Sequence, residues 1–432
     1  MTRNLAAFAA ITLLFTARDA AASDLDLGDI FHFHGYGTLG LTHSSDDQAD
    51  YVNSWITQPK GAGYTNEWSP YVDSKLALQL DANITSRLSA VVQIISQNDN
   101  NNSWNGKPNP PYRPSVEWAN VKYNVTDNLS IRLGRIVLPF NMISEYRNVG
   151  YAIPFVRAPI EVYGVIPFTT SDGMDVTWKQ HFGNYINSVV VHGGVNSLRS
   201  ENTGAAQSQM YGINDTFETG SLTVRAAYMY SPVKAPTGIT LFNTFSEAAD
   251  SLPDGAGAAA AAEAQLYDHL YNLGHWSSIE HYDIGMTYDT GSWFVMAEGV
   301  KHVTDNIFGT VTSGFAAAGY RYKKLTPYVS FARVKTQYGE HPPISLDGLP
   351  AGLIVLGSIA NGIVTGITAT PRSQQTISAG LRWDFASSFD LKAQYDFVDV
   401  DAGSDGYFTN VQPGFRPGAN VSVFSATVDF VF

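Results

Sequence analysis

The last twelve residues, VSVFSATVDFVF (residues 421–432), decide the fold. Alternate positions from Ser422 to Phe432 share one face, which carries Phe424, Phe430 and Phe432, while the opposite face carries small residues and Asp429. This period of two predicts a β-strand. An aromatic face opposite a small and charged face is typical of a strand that separates lipid from a wet lumen.

Similar segments, near the barrel-strand length of ~10 residues, recur along the chain. They begin at residues 30, 74, 88, 115, 129, 173, 185, 209, 222, 280, 293, 314, 325, 374, 389 and 421. Seven connections are very short and mostly rich in turn-forming residues: 85–87, 126–128, 183–184, 219–221, 289–292, 323–324 and 386–388. Eight longer segments alternate with them. This alternation predicts an all-β, antiparallel transmembrane barrel of 16 strands, with short periplasmic turns, long extracellular loops and a water-filled interior.

One segment leaves an 18-strand barrel open as the alternative. Residues 349–370 carry no charge and could form a hairpin that turns at Asn361-Gly362. A membrane helix is the other interpretation, but the proline, glycine and β-branched content argues against it. Because a hairpin here would be apolar on both faces, the segment is better suited to a protein contact or to packing in the barrel mouth.

The composition fits export and a single domain. The chain has 432 residues, no cysteine and a formal net charge of −13, which argues against nucleic acid as a partner. Residues 1–22 combine Arg3, an apolar run and small residues near Ala22, so we expect a cleaved signal peptide. With no linker evident, residues 23–432 are expected to form one barrel domain.

The long loops differ in character. Residues 42–73 and 232–279 are rich in acids, which predicts an acidic outer mouth, and residues 338–373 form another long extracellular loop. Within the second, residues 256–273 are rich in alanine, with Leu266, Leu270 and Leu273 at helical spacing and Gly274 placed as a C-cap. We expect a short helix there, either as a lid or packed on the rim.

The closing strand resembles the C-terminal strand of Gram-negative outer-membrane porins, whose terminal Phe is similar to a barrel-assembly signal. The resemblance extends in pattern over the whole mature chain. It implies that Phe432 is that signal, that the protein lies in the outer membrane among lipid and lipopolysaccharide, and that it forms a homotrimer.

A second resemblance concerns Leu133-Gly134-Arg135, which is similar to the porin Leu-Gly-Arg that precedes an inward-folding third loop. It implies that residues of about 136–172 fold inward and narrow the pore. The implied constriction residues are Arg132, Arg135, Glu145, Arg147, Arg157 and Glu161. Alternation alone places Arg135 on the lipid side unless Gly134 carries a bulge.

Alternation across all strands predicts a lumen wall in which neither charge predominates. Its predicted bases are Lys75, Lys122, Arg132, Lys179, Arg225, Arg321, Arg382 and Lys392. Its predicted acids are Asp81, Asp175, Asp283, Glu298, Asp384, Asp390, Asp396 and Asp429. Most of these need be no more than a solvated wall, since a water-filled barrel requires polar inward residues.

Motifs for other chemistry are weak. Residues 35–40 match G-x-G-x-x-G but lie inside a strand, so the glycines indicate close packing rather than a nucleotide site. His32 and His34 share a face without a third ligand, and the acids at 46, 47 and 50 lack the spacing of a Ca²⁺ loop. Neither G-x-S-x-G nor H-E-x-x-H occurs. We expect no metal, cofactor or catalysis.

The expected function is passive diffusion of small hydrophilic solutes and ions through a porin. A substrate-specific outer-membrane channel is the alternative within transport. A barrel that acts as an adhesin, receptor or enzyme is the alternative from another class.

Overall fold

The structure, a computed structural model, describes most of the chain. The described residues are 30–99, 111–165, 169–200, 204–234, 240–272, 274–304, 306, 308–340, 342–369 and 371–432. The expected signal peptide, residues 1–22, lies outside them.

Sixteen antiparallel strands form a closed barrel in which each strand pairs with its neighbours in sequence. They are β1 Phe31–Ser44, β2 Lys75–Asn83, β3 Leu88–Gln97, β4 Ser115–Asn124, β5 Leu129–Val137, β6 Thr170–Phe182, β7 Tyr185–Ser200, β8 Gly204–Thr219, β9 Leu222–Lys234, β10 Ser277–Asp289, β11 Trp293–Thr304, β12 Thr310–Tyr320, β13 Leu325–Gln337, β14 Ser373–Ala386, β15 Phe389–Val400 and β16 Asn420–Val431. Closure comes from β1, which pairs with β2 on one side and β16 on the other.

The 16-strand prediction is confirmed, and each predicted strand begins within about five residues of the observed start. All seven short turns are present. Two of the eight longer connections differ from the prediction, because β7 and β8 extend to 16 residues each and β12 begins at Thr310. The strands on either side therefore leave only residues 201–203 and 305–309 as connections.

The closing seam explains the glycines of the first strand. The backbone groups of Gly35 and Phe432 exchange two hydrogen bonds of 2.9 and 3.0 Å, and the Phe432 ring lies over Gly35. A Cβ atom on Gly35 would lie 2.2 Å from that ring, and one on Gly37 would lie 2.4 Å from the Phe430 ring. The absence of a side chain at these glycines leaves room for the Phe430 and Phe432 rings, which is the close packing that the sequence indicated.

The outer face of the barrel is apolar. The outward-facing side chains of Leu133, Ile284 and Val329 are 65%, 63% and 58% exposed. The surface of a soluble protein would tend to bury such side chains. Exposed Trp, Tyr and Phe side chains lie on either side of this aliphatic band, for example Trp178 and Phe182 near a turn and Tyr211 near the loops. An apolar band between aromatic girdles is the surface that a lipid bilayer requires.

In the described parts of the long connections there are four helices: α1 Ile160–Tyr163, α2 Thr240–Asp250, α3 Ala258–Tyr271 and α4 Ala351–Ala369. The predicted alanine-rich helix is confirmed as α3, although its C-cap is Asn272 rather than Gly274. Helix α2 was not predicted. Within the described residues, no helix is both long enough and apolar enough to cross a membrane.

The uncharged segment 349–370 forms helix α4, so both the hairpin prediction and the argument against a helix are wrong. Leu353, Ala360 and Val364 are buried against α2 and α3, where their apolar side chains gain more from packing than β-branching costs the helix. Asn361, predicted as a turn residue, instead exchanges hydrogen bonds of 2.8 and 3.0 Å with the backbone of Ile344. These three helices form a small apolar cluster among the extracellular loops.

Candidate functional site

The connection after β5 enters the barrel. We call residues 138–165 the inward segment. It includes a short 3-10 turn at Gly150–Ala152 and helix α1, and many of its apolar side chains are buried, including Leu138, Ile143 and Phe155. Because a water-filled lumen offers no apolar surroundings, these side chains must be covered by the wall itself.

An apolar patch of the wall provides that cover. The Phe155 ring contacts the rings of Phe294, Phe315 and Tyr328, with centroids 6.4, 6.5 and 5.4 Å apart. These three residues come from β11, β12 and β13 and would otherwise face water. Apolar inward residues on three neighbouring strands therefore mark where the inward segment packs.

Arg157 is the most heavily bonded anchor of the segment. Its side chain is 3% exposed and forms two hydrogen bonds of 2.8 and 2.7 Å with Asp73 and one of 3.1 Å with Asp396. It also donates to the hydroxyls of Thr42 and Ser425 at 3.2 and 2.5 Å. The guanidinium thus ties the segment to β1, β15, β16 and the first long loop.

Arg157 also fixes the charge state of its partner. Burial raises the pKa of the Asp73 carboxyl. The charge of Arg157 and its hydrogen bonds to Asp73 lower that pKa by more than burial raises it, so the pKa lies below its usual value. Asp73 is therefore ionised at neutral pH, and Arg157 and Asp73 form a buried ion pair.

Glu161, in helix α1, forms a second anchor. It is 1% exposed, and its Oε1 atom accepts hydrogen bonds from Gln374, at 2.7 Å, and from Thr376. Burial raises its pKa above the usual value, although these two hydrogen bonds oppose the shift. The carboxyl group attaches α1 to β14.

A third anchor is formed by Tyr163, whose hydroxyl donates to Glu298 on β11. Glu298 also accepts hydrogen bonds from the backbone of Met142 at 2.9 Å and the side chain of Asn141 at 3.0 Å. Asn141 reaches Asp283 on β10 at 3.3 Å as well. Two buried wall acids are thus used to hold the segment.

Wall bases bind the segment's backbone carbonyls. Arg225 donates to Pro139 at 2.6 Å, Lys392 to Gly150 at 2.6 Å, and Arg382 to the carbonyls of residues 151 and 153 at 2.7 and 3.2 Å. Lys392 is fully buried, with Asp429 2.9 Å away. The contacts between the inward segment and the wall span β9 to β16 and β1, so the segment covers about half of the wall.

Comparison with known proteins supports this architecture. No protein-family model matches the chain, and no curated protein matches it. A loop L8 deletion mutant of OmpT, an outer membrane protein of Vibrio cholerae, aligns with a TM-score of 0.50 at 9% identity, over 94% of this chain and 100% of the other. OmpT folded in vitro, in its trimer form, aligns with a TM-score of 0.50 at 11% identity, over 93% and 99%.

The fold is that of an outer-membrane β-barrel protein. The outer membrane channel DcaP of Acinetobacter baumannii also aligns, with a TM-score of 0.49 at 11% identity, over 96% of this chain and 100% of the other. Identities this low concern the fold alone, so the roles of individual residues rest on the geometry of this chain.

The barrel and its inward segment place the predicted constriction residues in different environments. Arg157 and Glu161 are buried anchors of the inward segment and do not face open water. Arg147 is partly buried and donates to the Tyr163 carbonyl at 3.2 Å. Glu145 is 46% exposed and lies 3.5 Å from Arg225, so it is the predicted loop acid that faces the lumen.

Placing Arg135 in the constriction is wrong. It pairs in register with Ala119 and Asp172 on the outer face, as does Leu133 two residues earlier, and no register shift occurs at Gly134. Its guanidinium binds the Asp172 carboxylate at 2.7 and 2.8 Å. Arg132, by contrast, faces inward and binds the buried Asp175 at 2.7 Å. Alternation gave the correct side where the motif did not.

The predicted lumen acids and bases differ in burial. Six of the eight acids are buried: Asp175, Asp283, Glu298, Asp390, Asp396 and Asp429. Six of the eight bases keep some exposure: Lys75, Lys122, Arg132, Lys179, Arg321 and Arg382. Arg321 binds Asp289 near a turn at 2.6 Å, and Arg382 binds Asp384 at 2.7 Å. The sequence predicts nearly equal numbers of acidic and basic side chains in the lumen, but the side chains exposed to water in the lumen are mainly basic.

Open space remains along the other half of the wall. A cavity of about 520 Å³ lies between the inward segment and strands β4 to β10, on the side of the short turns, and it is lined by Lys122, Arg132, Lys179, Arg225 and Glu145 among others. A second cavity of about 380 Å³ continues along β1 to β5 and shares Lys122 and Arg132 with the first. We call these two cavities, which share part of their lining, the passage.

No group of three or more His, Asp or Glu side chains that could hold a metal occurs within the described residues. His32 and His34 line the second cavity, where His34 lies 3.6 Å from Asp81. Sequence reasoning missed Asp73 as an anchor, because it lies in a loop and its partner Arg157 is 84 residues away. No local pattern marks such a pair.

Proposed function

We propose that the protein is a channel of the outer membrane that lets small hydrophilic solutes and ions diffuse passively. The observation that carries the proposal is the passage: the inward segment is packed against β9 to β16 and β1, while polar and charged side chains along β1 to β10 line open space. A narrowed, hydrated lumen inside a lipid-facing barrel is the structure that diffusion requires.

The anchors make the narrowing permanent rather than transient. Apolar packing by Phe155, the buried ion pair of Arg157 and the carboxyl group of Glu161 act at separate points along the inward segment. We therefore expect a steady open conductance and no requirement for a ligand. We assign no catalytic activity to the chain.

We also propose a homotrimer among lipid and lipopolysaccharide. It is supported by the trimer form of the structurally similar OmpT. In planar bilayers, three equal closing steps per insertion would support the trimer, and single steps would contradict it.

Conductance of purified, refolded protein in planar bilayers, together with swelling of liposomes in sugars of increasing size, tests the channel. A diffusion channel conducts without added ligand and shows a smooth size limit. A substrate-specific channel would be blocked by its substrate at low concentration. An adhesin, receptor or enzyme would give neither conductance nor swelling, which would refute the proposal.

A further inference from the structure

Two residues that line the 520 Å³ cavity have hydrogen-bond donors without an acceptor. Within the described residues, the buried Nδ2 of Asn214 and Nε of Arg225 have no hydrogen-bond partner, although these side chains are only 2% and 6% exposed. Both residues line the cavity. An unpaired buried donor destabilises the folded protein, so its retention requires a reason.

Basic side chains surround the same space. Lys122 and Lys179 are exposed into it, and Lys122 lies directly opposite Arg132 in the register of β4 and β5. Like charges directly opposite on neighbouring strands destabilise a sheet. The lining therefore keeps a repulsive pair that stability alone would remove.

The acids on the lining do not cancel these bases. Lys122, Arg132, Lys179 and Arg225 face Glu145 and Glu218 there. Asp175 is buried behind Arg132 and neutralises it in part. The balance still leaves a positive excess.

The rest of the lining consists mainly of hydroxyl groups. Ser130, Thr177, Ser188 and Thr216 line the cavity beside Lys179 and Arg225. Hydroxyls can turn their hydrogen towards an acceptor, and ammonium and guanidinium groups only donate. A partner for this surface must therefore supply acceptor oxygens and negative charge, within a volume suited to a small molecule.

We propose that this cavity is a binding site for a small oxyanion, a carboxylate or phosphate group carried by a solute, on the turn side of the inward segment. Arg225 and Asn214 donate to the oxygens, and Lys122 and Lys179 supply charge. The inference rests on the proposed function, because the solute reaches the site through the lumen. The site makes the channel bind certain anions during passage instead of treating all solutes alike.

Calorimetric titration of the refolded barrel in detergent at low ionic strength tests the site, with inorganic phosphate and acetate as separate titrants. We expect saturable binding of at least one titrant. The double variant Lys122→Gln with Lys179→Gln should weaken it by about tenfold or more, because two charges near the anion are lost. Restoring charge in the double variant Lys122→Arg with Lys179→Arg should restore binding.

A matched control makes the same charge change at the same end of the barrel. Lys323 and Lys324 form an exposed turn, so Lys323→Gln with Lys324→Gln should leave the affinity within about twofold. Folding yield is measured for each variant. Phosphate binding alone would indicate phosphorylated solutes, and acetate binding alone would indicate carboxylated ones.

The outcomes separate this site from the channel itself. The site is refuted if neither titrant binds saturably to the unaltered protein, or if the Lys122 and Lys179 double variant binds as tightly as the unaltered protein. A barrel that conducts chloride but binds neither titrant would refute the site and leave the channel. A barrel that binds but does not conduct would refute the channel and leave the site.

Discussion

Replacing Arg157 with methionine tests whether this side chain holds the inward segment. The change keeps much of the side-chain volume and removes the charge, which leaves Asp73 and Asp396 buried without their partner. Breaking a buried ion pair from one side costs about 3–5 kcal/mol, chiefly because a charge remains buried and unpaired. We expect the free energy of unfolding to fall by about that amount.

The effect should be local to the end of the segment. Phe155 and Glu161 retain their own contacts with the wall, so the barrel should still fold. A loosened segment should raise the single-channel conductance and the noise of the open state. Urea unfolding followed by tryptophan fluorescence measures the stability, and planar bilayers measure the conductance.

Two controls sharpen the experiment. Arg333→Met removes a partly exposed ion pair with Asp401, at 3.0 Å, and should cost no more than about 1 kcal/mol. Adding Asp73→Asn and Asp396→Asn to Arg157→Met removes the unpaired charges and should restore most of the stability, while the conductance stays raised. If Arg157→Met unfolds at the same urea concentration as the unaltered protein, with the same conductance, Arg157 is not the anchor described.

The pH dependence of the same variant has a definite sign. In the unaltered protein the pKa of Asp73 is lowered, so its contribution to stability is present above the usual Asp pKa and is lost as the pH falls through its folded pKa. Without Arg157, burial becomes the main influence on the pKa of Asp73, and burial raises that pKa. The Asp73 contribution should then increase as the pH falls from neutral.

Three further outcomes are expected. Glu161→Gln keeps the Oε1 atom that accepts both hydrogen bonds. Because the folded pKa of Glu161 is raised, the contribution of Glu161 to stability is lost as the pH rises through that pKa. The free energy of unfolding of the variant should therefore depend less on pH and should not be reduced at neutral pH. Arg132→Ser should shift the reversal potential towards cations, whereas Arg135→Ser on the outer face should leave it unchanged, and equal shifts would contradict the register. Gly35→Val and deletion of Phe432 should each reduce the yield of heat-modifiable folded barrel, since both disturb the closing seam, and a normal yield for both would contradict its role.

The sequence predicted the barrel well because its determinants are local. Alternation within one strand tells which side chains face lipid, and a turn of two to four residues marks its end, so no distant contact is needed. The same locality explains Arg135, whose side of the wall follows from Leu133 two residues earlier. Helix α4 was missed because its stability comes from packing against α2 and α3, which end at Asp250 and Tyr271, far before α4 begins at Ala351.

The functional site was less predictable because burial inside a barrel depends on what crosses the lumen. Alternation places Asp396 and Lys122 alike on the inner face. Only the path of the inward segment decides that Asp396 is 1% exposed beside Arg157 while Lys122 faces open space. That path depends on contacts such as Arg157 with Asp73 that no periodicity reveals.

In this barrel, most of the predicted lumen acids are buried while most of the predicted lumen bases keep some exposure, and this difference has a physical consequence. An anchoring segment presents backbone carbonyls and donors to the wall, and the wall acids that accept its hydrogen bonds are removed from the water, as Glu298 and Asp396 are here. Bases on the uncovered half, such as Lys122 and Lys179, stay in contact with passing ions. Ions in a narrow passage respond to nearby charges within a screening length of ~8–10 Å. An acid paired with a base affects them weakly, because the pair carries no net charge. A lumen that is nearly neutral by residue count can therefore favour anions, because the inward segment determines which charges are counted.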